Sequence, residues 1–188
     1  MIEKDTPRVL QERRLLLSLS KGDREAFHVI FTQYFDRVKY FINSVIKSSS
    51  DSEDLAQDIF VKIWSMKELM NEVNSLNAYI YRMARNSAIN YTKRKINNTV
   101  PLDSINDYPV EYSTEEEYYA KEKELLIRLT LCNMPDKQRR IYEMSRDEGL
   151  SNDEISKKLE ISKHTVENNI SLALKSIKRV LICFSMIL

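Results

Sequence analysis

Glycine, proline, cysteine and histidine are scarce in this 188-residue chain, which contains 2 Gly, 4 Pro, 2 Cys and 2 His. Glycine and proline form most tight turns, so their scarcity disfavours hairpins and favours long helices. Cys132 and Cys183 lie far apart in apolar surroundings, which predicts buried, reduced thiols rather than a disulfide framework. The composition therefore predicts an all-α protein, and reduced thiols are expected in the cytoplasm.

Signals for catalysis, metal binding and membrane insertion are also missing from the sequence. His28 and His164 are far apart, and the sequence contains no Cys-His cluster, glycine-rich phosphate loop or paired-carboxylate motif. The first 14 residues are charged and lack the apolar core of a signal peptide. The apolar tail at residues 180–188 is too short to span a bilayer. We therefore predict no enzyme activity, no metal, no cofactor and no stable membrane insertion.

Charge is nearly balanced overall, with a formal net charge of +1, but it is unevenly distributed. Residues 73–102 contain no acidic side chain and carry five cations, Arg82, Arg85, Lys93, Arg94 and Lys95. Residues 97–120 contain six acidic side chains and no Lys or Arg. Opposed blocks of this kind predict one cationic and one anionic partner-binding surface.

Apolar residues at three- and four-residue spacing predict two helical blocks. The first covers residues 11–96, with helices that begin near Asp23, near Ser52 and at Leu76. The second covers residues 121–182, with a helix opened by Pro135-Asp136 and ended by Gly149. Two prolines and the acidic run predict an extended acidic linker over residues 97–120. The predicted fold is two small helical domains joined by this linker.

The second block contains the pattern of a helix-turn-helix. Ser151 and Glu154 form a predicted capping box, Glu160-Ile161 form a tight turn, and Ser162 caps a second helix that runs to about residue 179. Apolar residues share one face of that helix: Val166, Ile170, Ala173, Leu174 and Ile177. The polar residues predicted to contact DNA are Lys163, His164, Thr165, Glu167, Asn168, Ser171 and Lys175. The alternative is an amphipathic hairpin that only packs against its own domain.

A basic and aromatic helix is predicted at residues 76–95. Opening a duplex requires two kinds of side chain. Cations bind the DNA backbone, and aromatic or pocket-forming side chains receive the unstacked bases. The predicted DNA-contacting residues here are Asn74, Asn77, Tyr81, Arg82, Arg85, Asn86, Asn90 and Lys93. The alternative is a solvated basic helix whose tyrosines are structural.

Three segments match the motifs of one family in the right order. Residues 54–64 read DLAQDIFVKIW, residues 78–86 read AYIYRMARN, and residues 134–140 and 148–155 read MPDKQRR and EGLSNDEI. The first two resemble sigma region 2 and the third resembles sigma region 4 of the extracytoplasmic-function subfamily of sigma-70 RNA polymerase sigma factors. The region 4 segment also resembles sigma factors of the Bacteroidetes group.

The resemblance implies an alternative sigma factor that directs RNA polymerase to specific promoters and initiates transcription. It implies that the clamp helices of the largest polymerase subunit bind Asp54, Gln57, Asp58 and Lys62. The loop at residues 72–77 and the helix after it would capture and melt the minus-10 element, and the helix-turn-helix would read the minus-35 element. Further implied partners are the polymerase flap and an anti-sigma factor, and the acidic linker would thread toward the polymerase active cleft.

A conventional helix-turn-helix regulator that acts without core polymerase is the main alternative. Against it, residues 11–96 lack the strand-helix alternation of a receiver domain. Two features depart from the family pattern: Glu167 and Leu172 stand where many relatives carry basic residues, and the apolar tail at residues 182–188 lies outside the pattern. The tail is expected to pack on region 4 or to bind a partner.

Overall fold

A computed structural model describes residues 7–96 and 114–187, and these residues form eight α-helices and one 3-10 helix with no β-strand. The helices in chain order are α1 (Pro7–Ser20), α2 (Arg24–Ile46), α3 (Ser49–Ser65), the 3-10 helix (Lys67–Glu72), α4 (Leu76–Ile96), α5 (Glu115–Cys132), α6 (Asp136–Arg146), α7 (Asn152–Lys158) and α8 (Lys163–Ile187). The predicted all-α fold is confirmed.

The described residues group into two compact units. The first unit contains residues 7–43, 48–87 and 184–187, and the second contains residues 44–47, 88–96 and 114–183. The boundary between the units therefore falls within α4, and the last turn of α8 belongs to the first unit.

Local side-chain chemistry explains where α2 begins. Asp23 accepts hydrogen bonds from the backbone N–H groups of Glu25 at 2.9 Å and Ala26 at 3.4 Å, as predicted for its N-cap. Gly22, just before this cap, has a φ of +84°, a backbone conformation that side chains disfavour.

The core of the first unit is built from apolar side chains on every one of its helices. The fully buried residues include Leu19, Ile30, Phe41, Ile59, Ile63, Met70, Leu76, Ile80 and Ala84. These residues recur at helical spacing, so each helix buries one face and exposes the other.

The second unit has two apolar clusters. The first consists of Ile141, Met144, Ile155 and Val166, which hold α6, α7 and the start of α8 together. The second consists of Met134, Ala173 and Ile177, which pack α8 against the end of α5. In the same unit, the buried Asn133 side chain donates a hydrogen bond to Thr92 Oγ1 at 2.8 Å, which ties α5 to α4.

Two predicted boundaries are wrong. The expected linker reached residue 120, but α5 begins at Glu115 because Thr114 accepts a hydrogen bond from the Glu117 N–H and caps the helix. Residues 97–113 of that linker lie outside the described residues. The second helix of the helix-turn-helix continues to Ile187, because Val180, Cys183 and Ile187 extend its buried face. Residues 67–72, for which no element was predicted, form a 3-10 helix.

One side-chain expectation for α8 also needs correction. Leu174 was assigned to the apolar face of α8 but is 39% exposed, because its side chain is rotated by about 100° around the helix from that of the buried Ala173. Trp64 is half-buried and packs edge-on against Phe27. Cys132 and Cys183 are both free, as predicted; Cys183 is buried as expected, but Cys132 is only half-buried. Burial raises the pKa of each thiol.

Candidate nucleic-acid interface and docking surface

The outer face of α3 presents polar side chains that have no internal partner. Asp54, Gln57, Asp58 and Lys62 are exposed, and within the described chain their side chains form no hydrogen bond or ion pair. Val61 lies among them and is 65% exposed. The opposite face is buried through Ala56, Ile59, Phe60 and Ile63. The four residues predicted for docking therefore lie together on one solvent-facing surface.

An aromatic groove lies beside this helix, between α2 and α3. It has a volume of about 520 Å³ and is lined by Arg24, Phe27, His28, Phe31 and Trp64. The Phe27 and Trp64 ring centroids are 5.1 Å apart, and Lys67 Nζ lies 5.3 Å from the Trp64 ring. The groove arises only when α3 packs beside α2, so the pattern within either helix does not predict it.

Helix α4 exposes most of its predicted basic face. Arg82, Asn86 and Asn90 are exposed at four-residue spacing, and Lys93 is half-buried. Arg94 and Lys95 are exposed in the last turn. Cations in the last turn of a helix also stabilise it by interacting with its partly negative C-terminal end.

The start of α4 is held by side chains from distant helices. Glu12 of α1 accepts a hydrogen bond from the backbone N–H of Leu76 at 2.6 Å. Tyr34 of α2 donates its hydroxyl hydrogen to Asn77 Oδ1. Ser75 caps the helix, since its hydroxyl accepts from the Ala78 N–H at 3.3 Å. Asn77 is therefore half-buried and anchored, whereas Asn74 in the preceding loop is exposed.

Two residues predicted to contact DNA are buried. Tyr81 is completely buried, with its ring centroid 5.5 Å from that of Phe41 and 5.1 Å from that of Phe184. Arg85 is only 8% exposed. A base can reach Tyr81 only if a covering side chain such as Phe184 moves, so its predicted DNA contact requires a rearrangement.

The helix-turn-helix is fixed by local hydrogen bonds at both sides of its turn. The capping box is present: Ser151 Oγ accepts from the Glu154 N–H, and Glu154 accepts from the Ser151 N–H at 2.8 Å. These hydrogen bonds from Ser151 lower the pKa of Glu154. At the turn, the Ile161 N–H donates to Ser156 O at 3.0 Å and Glu160 has a φ of +53°. This is a Schellman arrangement, in which the residue with positive φ is most often glycine.

The predicted recognition face of α8 is largely open to solvent. Six of its seven predicted residues are exposed, namely Lys163, His164, Glu167, Asn168, Ser171 and Lys175. Thr165 is half-buried, and its N–H donates to Ser162 Oγ at 3.1 Å, which confirms Ser162 as the cap. Lys163 Nζ lies 2.9 Å from Asp153 Oδ2, and this hydrogen bond raises the pKa of Lys163.

Sequence reasoning missed two residues of these surfaces. No contact was predicted for Asp153, yet it pairs with Lys163, the cation at the start of α8. Glu12 was not recognised, although it caps a helix 64 residues later in the chain. The ten-residue separation of Asp153 and Lys163 across a predicted tight turn could have indicated the first contact, but no sequence signal indicates the second.

The described residues offer no group of three or more His, Cys, Asp or Glu side chains that could hold a metal ion. No helix in residues 7–96 and 114–187 is both long enough and apolar enough to cross a membrane.

Comparisons with known proteins identify both halves of the chain. The family model for sigma-70 region 2 matches residues 30–96, and the model for sigma-70 region 4 matches residues 124–177. Together the two models match well over half of the chain. The region 2 match contains α3 and α4, and the region 4 match contains the helix-turn-helix.

Several curated proteins are similar over most of their length. RNA polymerase sigma factor SigZ of Bacillus subtilis is 29% identical over 154 residues, which are 81% of this chain and 85% of that protein. The ECF RNA polymerase sigma-E factor of Haemophilus influenzae is 25% identical over 179 residues, which are 90% and 94% of the two chains. A solved structure, that of CnrH in complex with the cytosolic domain of CnrY, covers 90% of this chain at 18% identity, with a TM-score of 0.39.

Helical regions of the sigma-70 type, one with a helix-turn-helix, define a class of proteins that confer promoter selection on RNA polymerase. The chain belongs to the extracytoplasmic-function group of the sigma-70 family. It is an alternative sigma factor that directs RNA polymerase to specific promoters and initiates transcription there.

Proposed function

We propose that this sigma factor uses three separate surfaces for its three contacts. The outer face of α3 binds the clamp helices of the polymerase, the loop before α4 and the basic face of α4 bind the minus-10 element, and the start of α8 reads the minus-35 element. The exposed and internally unpaired side chains on α3 support this proposal most directly.

Charge and exposure support the α3 surface as a docking site for protein. Two carboxylates and an amide surround the exposed Val61, which gives a small apolar centre with a polar rim. Because these carboxylates pair with no cation among the described residues, a cationic partner surface can bind them without first breaking an internal ion pair.

Cations and amides support α4 as the surface for the opened strand. Arg82, Asn86 and Asn90 follow one exposed line of the helix. Cations there neutralise phosphates, and the amides hydrogen-bond to base edges. Asn74, in the loop just before α4, is exposed and completes this surface.

The exposed first turns of α8 support base reading in the minus-35 element. Asn168 and Ser171 can both donate to and accept from base edges, and Lys175 can reach a phosphate. The Lys163–Asp153 pair is exposed and therefore weak, so a DNA phosphate can replace Asp153 as the partner of Lys163.

Further parts of the proposal rest on family resemblance. We propose an anti-sigma factor and the polymerase flap as additional partners, the cytoplasm as the location because polymerase works there, and a passage for residues 97–113 toward the polymerase active cleft. The resemblance of region 4 to Bacteroidetes sigma factors remains a prediction.

Reversing the charge of Asp58 tests the docking surface. We expect Asp58→Lys to weaken binding to core polymerase by about tenfold or more, because it places a cation opposite a cationic partner surface. Binding is measured by titrating labelled sigma factor with core polymerase and following fluorescence anisotropy.

Asp147→Lys is the matched control, since Asp147 is exposed at the end of α6 and undergoes the same change of charge. It should bind core polymerase like the wild type, and thermal unfolding should show that both variants are folded. Wild-type affinity in Asp58→Lys would refute the docking role of α3.

A further inference from the structure

Helix α1 packs along the loop that precedes α4. Val9, Glu12 and Arg13 of α1 face Asn71 and Asn74 across a cavity of about 240 Å³, which Val73 and Ser75 also line. Leu16 and Leu19 on the same helix are buried, as is Met70 of the 3-10 helix. One wall of this cavity is therefore α1, and the other is formed by the end of the 3-10 helix and the loop that follows it.

Glu12 connects these two walls directly. Its carboxylate accepts a hydrogen bond from the Leu76 N–H at 2.6 Å, and Leu76 is itself buried. The N–H groups in the first turn of a helix lack intrahelical partners and carry partial positive charge, so a carboxylate is well suited to bind one of them. Glu12 is half-buried, which reduces competition from water.

The loop is thus held at the point where it enters α4. Glu12 holds residue 76 from α1, Tyr34 holds Asn77 from α2, and Ser75 caps the helix locally. Two of these three contacts come from residues more than 40 positions away in the chain. A recognition loop that is already ordered binds with a smaller entropic cost and discriminates better between ligands.

We infer that Glu12 is a positioning residue for minus-10 recognition: it fixes the loop at residues 73–75 so that Asn74 and the start of α4 meet the promoter in one geometry. The inference rests on the proposed role of α4 in binding the minus-10 element. It adds α1 to the parts of the protein that select the promoter.

The test measures how strongly the holoenzyme discriminates between two minus-10 elements, instead of its total transcription activity. Run-off transcription by reconstituted holoenzyme is compared on a promoter with its preferred minus-10 element and on one carrying a substitution in that element. The ratio of the two rates is independent of the fraction of folded sigma factor, because misfolded molecules reduce both rates equally.

We expect Glu12→Ala to lower this ratio by about tenfold, the effect of losing a charge-assisted hydrogen bond that orders the site. Glu12→Gln keeps an acceptor oxygen and should stay within about threefold of the wild type, since neutral hydrogen bonds are weaker. Gln11→Ala, an exposed neighbour on α1, should leave the ratio unchanged.

The Asn74→Ala variant distinguishes a failure of the inference about Glu12 from a failure of the proposed minus-10 surface. If Asn74→Ala lowers the ratio and Glu12→Ala does not, α1 has no positioning role, although the minus-10 surface stands. If neither variant changes the ratio, both the inference and the proposed minus-10 surface are wrong.

Discussion

Glu160 adopts a backbone conformation that its side chain disfavours. Its φ of +53° lies in the left-handed region, where a Cβ atom costs about 1–2 kcal/mol relative to glycine. The sequence already made this position unusual, because turns of this kind more often carry Gly or Asn. The structure explains why: the Schellman arrangement requires a positive φ at this position, whichever residue occupies it.

Glu160→Gly should therefore stabilise the protein by about 0.5–1 kcal/mol, the steric relief being partly offset by the greater freedom of glycine in the unfolded chain. Lys157→Gly is the control, because Lys157 is exposed within α7 and glycine there should cost about 1 kcal/mol. Urea unfolding measures the free energy of unfolding of both variants. Destabilisation by Glu160→Gly would mean that the Glu160 side chain makes a favourable interaction that outweighs the strain.

Helix α8 changes its role along its length. Its first turns expose polar side chains next to the turn of the helix-turn-helix, while its last turns bury Val180, Cys183 and Phe184. Phe184 packs against Tyr81 within the first unit. The apolar tail was expected to pack on region 4 or to bind a partner, so its packing against α4 is a finding of the structure.

Phe184→Ala should lower the free energy of unfolding by about 3–5 kcal/mol, because it removes a buried aromatic ring and leaves a cavity beside Tyr81. Met186→Ala provides the comparison, since Met186 lies two residues away and is 66% exposed; it should change stability by less than about 0.5 kcal/mol. Equal stability of the two variants, measured by urea unfolding, would contradict the packing described for this last turn.

The whole molecule separates its charges although its net charge is only +1. Exposed acids lie on α3 and exposed cations lie on α4, and we propose that each set binds a different class of partner. Since binding to nucleic acid releases condensed counterions in proportion to the phosphates neutralised, the cations of α4 should be measurable through salt dependence.

Arg82→Gln should reduce the slope of log affinity against log salt by about 0.7–0.9 for holoenzyme binding to a promoter fragment, the effect of losing one phosphate contact. Arg128→Gln removes the same charge from α5, where Arg128 pairs with Glu124, and should leave the slope unchanged. An unchanged slope in Arg82→Gln would remove Arg82 from the phosphate-contacting residues.

Sequence alone determined the features that depend on neighbouring residues. The cap at Asp23, the capping box at Ser151, the start of α4 and the exposed polar faces of α3 and α8 all follow from residues within a turn or two. Helix periodicity and caps are local properties, because their hydrogen bonds join residues three or four positions apart. The three family motifs lie within such segments, so they too could be read directly.

Only the tertiary structure decided which of these residues are available for binding. It buried Tyr81 and Arg85, paired Lys163 with Asp153, formed the aromatic groove between α2 and α3, and brought Glu12 to the start of α4. Each outcome depends on contacts between residues ten or more positions apart or on packing between helices. A pattern within one helix shows which face is polar, but the helix that packs against it determines which polar side chains remain exposed.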